Sequence, residues 1–352
     1  MGLLDKLSKG ENLVVAEGYL FEFERRCRLK AGAFVPDVSV HRPDLVKSLY
    51  EEFVYAGSDV VLAFTYYAHR EKLRLVGKEN DLEKINRTAL TLAREVADDT
   101  GTLMAGNICN TTVYDRSIPE TVAQAANIFK EQVEWAAQEK ADFIVGETFG
   151  TLGEAMLALE AIKKYGNGLP AVITLVPRAE DVTDDDVDLV EACQRLEEEG
   201  AAVVGLNCCR GPETMLPTLR KIRQACKGPI AALPVVYRTR PSHPTMQSLV
   251  DPDTGSKVFP IDLPALACSR REVAEFARAA QEIGIQYVGL CCGNASHYIR
   301  VVAEVLGKSP AASQYSPDMS QHYTFGSDPQ FLRKAISENI NKRLTKKLDG
   351  SV

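Results

Sequence analysis

Eight short runs of Val, Ile, Leu and Ala recur along the chain. Each is followed by a polar or glycine-bearing turn and then by a longer segment with apolar residues at three- and four-residue steps. The runs are Asn12–Ala16, Asp59–Thr65, Thr102–Asn107, Asp142–Glu147, Ala171–Val176, Ala202–Asn207, Ile230–Val235 and Gln286–Leu290. Thr121–Lys140 illustrates the helical half, with Val122, Ala125, Ala126, Phe129 and Val133 on one stripe, and Leu189–Glu199 stops at Gly200. Parallel strands need such crossovers. Eight β-then-α units therefore predict an α/β fold, a single (β/α)8 barrel of the TIM type with a C-terminal extension. A doubly wound open sheet is the competing architecture, but no glycine-rich phosphate fingerprint follows the first run.

The period breaks in two places. Tyr237–Leu266, rich in Pro, Ser, Thr and Asp, follows the seventh run and reads as a long active-site loop. Beyond Gly307 an irregular piece runs to Gly326, and Pro329–Lys347 returns to a charged helical pattern. The expected organisation is a barrel over residues 1–307 and an extension over 308–352, the latter a subunit-contact arm of a homo-oligomer.

Composition narrows the function. With 352 residues, 45% of them hydrophobic, the chain can bury a large core. A net charge of -7 with both signs interspersed leaves no basic face for nucleic acid. Asp5, Lys6 and Lys9 interrupt the N-terminus, and no apolar span reaches membrane length, so a cytoplasmic chain without a membrane partner is expected. Nine cysteines, an odd number, show no spacing of a secreted scaffold. Cys27, Cys109, Cys193, Cys226 and Cys268 stand alone and read as ordinary buried small residues.

The other four cysteines change the picture. Barrels of this type build active sites at the C-terminal ends of their strands. The runs end in Ala16–Glu17–Gly18, Thr65–Tyr66–Tyr67, Asn107, Glu147–Thr148, Asn207–Cys208–Cys209 and Cys291–Cys292–Gly293. Three or four sulfurs can meet over the mouth. Such a set selects zinc or another soft metal, and three ligands with an open fourth position is the catalytic arrangement. The bland alternative, two coincidental pairs of core cysteines, is harder to reconcile with their place at two strand ends of one barrel.

The segments Gly205–Leu206–Asn207–Cys208 and Gly289–Leu290–Cys291–Cys292–Gly293, with His297–Tyr298–Ile299–Arg300 after them, resemble the signatures of the homocysteine S-methyltransferases, above all of the betaine-dependent members. The likeness extends to Glu24–Arg25–Arg26, Lys30–Ala31–Gly32, Phe64–Thr65–Tyr66–Tyr67–Ala68, Phe143–Ile144–Val145–Gly146–Glu147 and Ile261–Asp262–Leu263–Pro264. It implies one Zn2+ held by Cys208, Cys291 and Cys292, with Cys209 a neighbour, and methyl transfer from a cationic donor to the thiol of homocysteine, giving methionine. It implies Glu147 as receiver of the homocysteine amino group and Asn207 as a catalytic residue that holds substrate and metal site. Phe34, Tyr66 and Tyr67 would form the cage for the donor, Tyr67 making the catalytic donor contact, since quaternary ammonium ions bind on aromatic faces.

Two positions depart from the family pattern. Ala16–Glu17–Gly18 stands for Asp-Gly-Gly, so Glu17 and Gly18 are expected at the substrate, Glu17 either reaching the same amino group from the neighbouring position or marking a changed acceptor or donor. Leu290 replaces a glycine and is expected to crowd the approach to the metal. Glycine betaine is the first expected donor; a sulfonium compound, such as S-methylmethionine, S-adenosylmethionine or dimethylsulfoniopropionate, suits the same cage, and a barrel that has lost activity is the remaining alternative.

Overall fold

The computed structural model describes residues 2–30, 32, 34–332 and 334–344. Two compact units emerge, Met1–Ala311 and Ala312–Val352. Ala31 of the segment Lys30–Ala31–Gly32, and residues 345–352 of the expected extension, lie outside the described residues.

The first unit is the barrel. Its strands are β1 (Leu13–Ala16), β2 (Val60–Leu62), β3 (Leu103–Cys109), β4 (Phe143–Phe149), β5 (Ala171–Leu175), β6 (Val203–Asn207), β7 (Ile230–Leu233) and β8 (Tyr287–Leu290). All pair in parallel in the order β1-β8-β7-β6-β5-β4-β3-β2. Almost every strand residue is buried, because helices cover the outside and side chains fill the inside; this is why the strands read as unbroken apolar runs. The β1–β2 seam is closed by Asp59, whose N–H donates to Val14 O at 2.7 Å while its Oδ2 accepts the Val14 N–H at 2.7 Å.

The helices follow from their stripes and caps. Leu82–Thr100 buries Leu82, Ile85, Ala89, Leu90, Ala93, Val96 and Ala97, a 3.6-residue period, and ends at Gly101 with φ 70°. Arg270–Ile283 opens on a capping box in which Ser269 accepts the Glu272 N–H and Glu272 accepts the Ser269 N–H at 2.6 Å.

Two expectations need correction. The run Asp59–Thr65 is a strand only to Leu62: Phe64 gives its N–H to the Tyr50 hydroxyl at 2.7 Å and Thr65 gives its N–H to Ala63 O at 2.8 Å, so the chain turns before Tyr66. Cys27 is exposed, at φ 56° in the turn after the helix Tyr19–Arg25, whereas Cys109, Cys193, Cys226 and Cys268 are buried. In the second unit the charged helix begins at Lys334 and is described to Leu344. Among the described residues no helix is long and apolar enough to cross a membrane.

Candidate active site

A cavity of about 430 Å³ opens where the strands end. Strand ends and loops bring Cys208, Cys291 and Cys292 together beneath it. Cys208 Sγ lies 3.5 Å from Cys292 Sγ, Cys291 Sγ lies 3.9 Å from Cys292 Sγ, and all three sulfurs fall within 4.8 Å of one another. A disulfide would hold two sulfurs at about 2.0 Å. A tetrahedral ion bound to each sulfur at about 2.3 Å sets them about 3.8 Å apart, so the donor set fits zinc in both spacing and softness. Contact with Cys209 for Cys208, contact with Cys208 for Cys292, and then burial hold both thiols well above the usual thiol range. Sulfurs crowded in this way would ionise together only with a cation among them.

The backbone that presents these sulfurs is bent against its ordinary preference. Cys208 and Cys209 adopt φ 64° and 53°, and Tyr67 and Thr148 adopt 59° and 61°. Such left-handed non-glycine residues cost of order 1–3 kcal/mol each and concentrate at functional sites. Gly18 is needed for a different reason. A Cβ there would lie 2.4 Å from Cys291 O, so its lack of a side chain lets the end of β1 close on the thiol loop.

Beside the sulfurs sits a buried polar cluster. Glu147 accepts from Asn107 Nδ2 at 2.6 Å, Asn207 Nδ2 at 3.0 Å and the Thr148 hydroxyl at 3.2 Å. Asn207 is fixed in turn, its Oδ1 accepting the Thr148 N–H and the Thr174 hydroxyl, each at 2.9 Å. Its Nδ2 approaches Cys291 Sγ at 3.9 Å. Glu17 is 1% exposed, and among the described residues neither of its carboxylate oxygens has a partner of good hydrogen-bond geometry, although Glu147 and Asn207 lie beside it. Oxygens of Glu17 and Glu147 and the Cys291 sulfur lie within 4.8 Å of one another. Burial pushes Glu147 up to about 7 despite its donors, and burial followed by the Glu147 charge raises Glu17 well above the carboxylate range. Among the described residues, the groups that act most strongly on this pair include no cationic side chain, and an arriving ammonium would supply a positive group.

Aromatic rings line the outer cavity. Tyr66 and Tyr67 meet at 4.4 Å between centroids, and Phe34 stacks on Phe21 at 5.7 Å. Lys72 Nζ already sits over the Tyr67 ring at 4.8 Å, which leaves Tyr66 and Phe34 as the less encumbered cation faces. Burial raises Tyr67 to about 12, so its hydroxyl keeps its proton. The loop Tyr237–Leu266 adds Met246, Gln247 and Phe259 to the lining. Gln247 also donates to Cys209 Sγ at 3.4 Å.

Every residue singled out from the sequence for the site faces this cavity or the polar cluster under it. Leu290 does not behave as expected. It pairs with Ala16 in the β1–β8 ladder, is fully buried and is not among the cavity-lining residues, so it leaves the metal approach open. Sequence reasoning missed Phe21, Tyr114 and Phe259, which lie outside the strand ends, and Asn107 as a Glu147 donor. It also missed Cys109, whose Sγ accepts the Tyr67 N–H at 3.3 Å.

Comparison with known proteins places the chain among relatives of one activity. The family model described as homocysteine S-methyltransferase matches residues 18–306. Betaine–homocysteine S-methyltransferase 1 of Rattus norvegicus is 32% identical over 342 residues, covering 93% of this chain and 79% of that protein. S-methylmethionine–homocysteine S-methyltransferase of Mus musculus is 32% identical over 333 residues, covering 93% and 86%. In three dimensions, the metallated form of an Escherichia coli homocysteine methyltransferase shares the fold, with a TM-score of 0.66 at 17% identity over 85% of this chain and 97% of that one. With most of the barrel inside the family model and relatives matching nearly its whole length, the chain belongs to the homocysteine S-methyltransferase family and is an enzyme that methylates homocysteine.

Proposed function

We propose that the enzyme is zinc-dependent, that Cys208, Cys291 and Cys292 hold the ion, and that the methyl donor is a small cation, glycine betaine first. The observation that carries this reading is the convergence of three sulfurs, at 3.5 and 3.9 Å, on a buried carboxylate pair under aromatic rings. Zinc, when bound, supplies the Lewis acidity that lowers the pKa of a thiol to neutrality. Glu147 and Glu17 receive the homocysteine ammonium, whose single positive charge balances one carboxylate while the pair, its titration raised by burial, keeps one proton; the ammonium so held aims the thiol at the sulfur cluster. Asn207 is the catalytic positioning group: it fixes Glu147 and holds the Thr148 backbone against the thiol side. Gly18 lets the amine receptor and the thiol loop touch.

Tyr66, Phe34 and Tyr67 hold the donor cation, each ring worth about 0.5–2 kcal/mol. The S–C bond forms as the C–N bond breaks, the electron pair stays on nitrogen, and methionine and dimethylglycine leave. Fixing the two reactants in line contributes up to roughly 7–11 kcal/mol of the barrier reduction.

A sulfonium donor is the second reading, favoured by the S-methylmethionine relative, whose identity equals that of the betaine relative. Both are tested by methyl transfer to homocysteine with glycine betaine, S-methylmethionine and dimethylsulfoniopropionate offered separately, before and after chelation. Fastest turnover with betaine, lost on chelation and restored by zinc, supports the first reading. Preference for a sulfonium selects the second, and turnover indifferent to chelation rejects the zinc assignment.

We further assign the extension 308–352 to a subunit contact, because Tyr315, Met319, Tyr323, Phe325, Phe331 and Leu344 are exposed there; a monomer in sedimentation would reject it. A thiolate metal site suits the reducing cytoplasm, and fractionation that places the protein elsewhere would reject that address.

A further inference from the structure

We propose that Arg178 is the receptor for the carboxylate of a zwitterionic methyl donor, an inference that rests on the donor-binding reading above. Among the described residues lining the cavity, Arg178 is the only one with a cationic side chain. Its companions there include thiols and the carboxylates of Glu147, Glu154 and Asp184, a lining that repels any ligand anion except at this guanidinium.

The guanidinium is held in place. Asp184 takes one edge in a bidentate pair, from Nε at 3.0 Å and Nη2 at 2.7 Å. That pair fits only because Gly150, the residue after β4, has no side chain: a Cβ there would lie 2.3 Å from Asp184 Oδ2 and 3.1 Å from Arg178 Nη2. The Asp184 N–H donates to Gly150 O at 2.8 Å, tying the pair to the end of β4. The backbone is fixed as well, since the buried Arg210 donates from Nε to Arg178 O at 2.7 Å. Nη1 is left with no oxygen acceptor among the described residues, and the guanidinium reaches the sulfur of Cys209. A fork clamped on one edge by Asp184 and without an oxygen partner at Nη1 among the described residues presents a preorganised carboxylate site, for which a carboxylate competes with the weakly accepting Cys209 sulfur.

Homocysteine and a zwitterionic donor both carry a carboxylate, and depth decides between them. The acceptor's ammonium belongs at Glu17 and Glu147, which are 1% and 4% exposed. Its carboxylate is bonded to the same carbon and stays at that depth. The Arg178 side chain is 49% exposed, at the rim, where the ligand that lies outside the thiol is found. The donor therefore meets aromatic faces with its cationic head and the Arg178 fork with its tail.

The test measures binding of paired ligands to zinc-loaded full-length protein saturated with homocysteine. Glycine betaine is compared with tetramethylammonium, and dimethylsulfoniopropionate with trimethylsulfonium; each pair keeps the cation and deletes the carboxylate. In the wild type the carboxylate-bearing member binds more tightly. In R178Q that advantage falls by roughly 10- to 100-fold, the worth of a charge-assisted hydrogen bond. Affinity for the carboxylate-free cations and for homocysteine, zinc content and thermal midpoint stay unchanged. R178K recovers part of the advantage, because it restores charge without the fork. An advantage that survives R178Q overturns the proposal, as does weakened homocysteine binding with donor binding intact. A wild type that binds none of the four cations overturns the donor reading itself.

Discussion

The floor of the cavity and its rim are built by opposite means. On the floor, Cys208, Cys291, Glu147 and Asn207 stand on strand ends or one residue beyond, are nearly solvent-free, and are tied to one another by short polar contacts. On the rim, Phe34, Tyr66, Tyr67, Arg178 and Phe259 come from turns after several strands and keep part of their surface open. Under the proposed reading the floor takes the thiol and amine of homocysteine, which both similar enzymes name as acceptor, and the rim takes the donor, in which the betaine and S-methylmethionine enzymes differ by name. A rigid floor can thus keep one chemistry while loops change what is brought to it.

Breaking the floor should have the largest effect. C208A removes one of three sulfurs; since partners in the outer shell of a metal are worth about 10–100-fold in affinity, loss of a ligand exceeds that. Zinc content by atomic absorption and turnover should vanish together, and an active C208A enzyme would defeat the ligand assignment. Next comes E147Q, which keeps the shape of the amine receptor but removes its charge. KM for homocysteine should rise by roughly 10- to 100-fold with the donor KM unchanged; a donor-side effect instead would place Glu147 on the wrong substrate.

Breaking the rim should be milder and confined to the donor. Y66A deletes one cation face and should raise the donor KM by roughly 2- to 30-fold. Equal loss for both substrates would show that Tyr66 supports the floor rather than the cage. The smallest effect lies behind the rim. His69 packs edge-on to Tyr67 at 6.1 Å, its Nδ1 accepts the Lys72 N–H at 3.3 Å, and burial lowers it from 6.5 to about 4. A folded-state value below the unfolded one means stability that is complete above pH 6.5 and is lost as pH falls towards 4. Relative to H69N, the wild type should lose about 1 kcal/mol between pH 7 and 5.5 in denaturant titration; identical slopes for the two proteins would reject this origin.

The same contrast explains what could be read from the sequence. Strand residues announce themselves by apolar runs, and the reading of each run to its end reached Glu17, Glu147, Asn207 and the thiols because a barrel places strand ends at its mouth. Run length misled at Thr65, where a hydroxyl from Tyr50 intercepts the Phe64 amide and turns Tyr66 and Tyr67 into a loop. No period exists in turns, so Arg178 carried no sequence signal of its place, and its match to Asp184 six residues on looks like any surface pair; Phe21 stands in the helix Tyr19–Arg25, whose seven residues are too few to show a period. Leu290 misled in the other direction. Replacement of a glycine suggested crowding, but in a parallel strand neighbouring residues point to opposite faces, and this one points away from the cavity.

The left-handed backbone at Cys208 and Cys209 also bears on descent. Glycine holds φ near 60° without penalty, so at these two positions folding alone would favour it over cysteine. A lineage released from the reaction would drift towards that easier residue and become more stable by doing so. Cysteine stands at both positions against that slope, and the Cys208 sulfur lies 3.5 Å from that of Cys292, so what the strained turn supplies is a placed thiol rather than an easier fold.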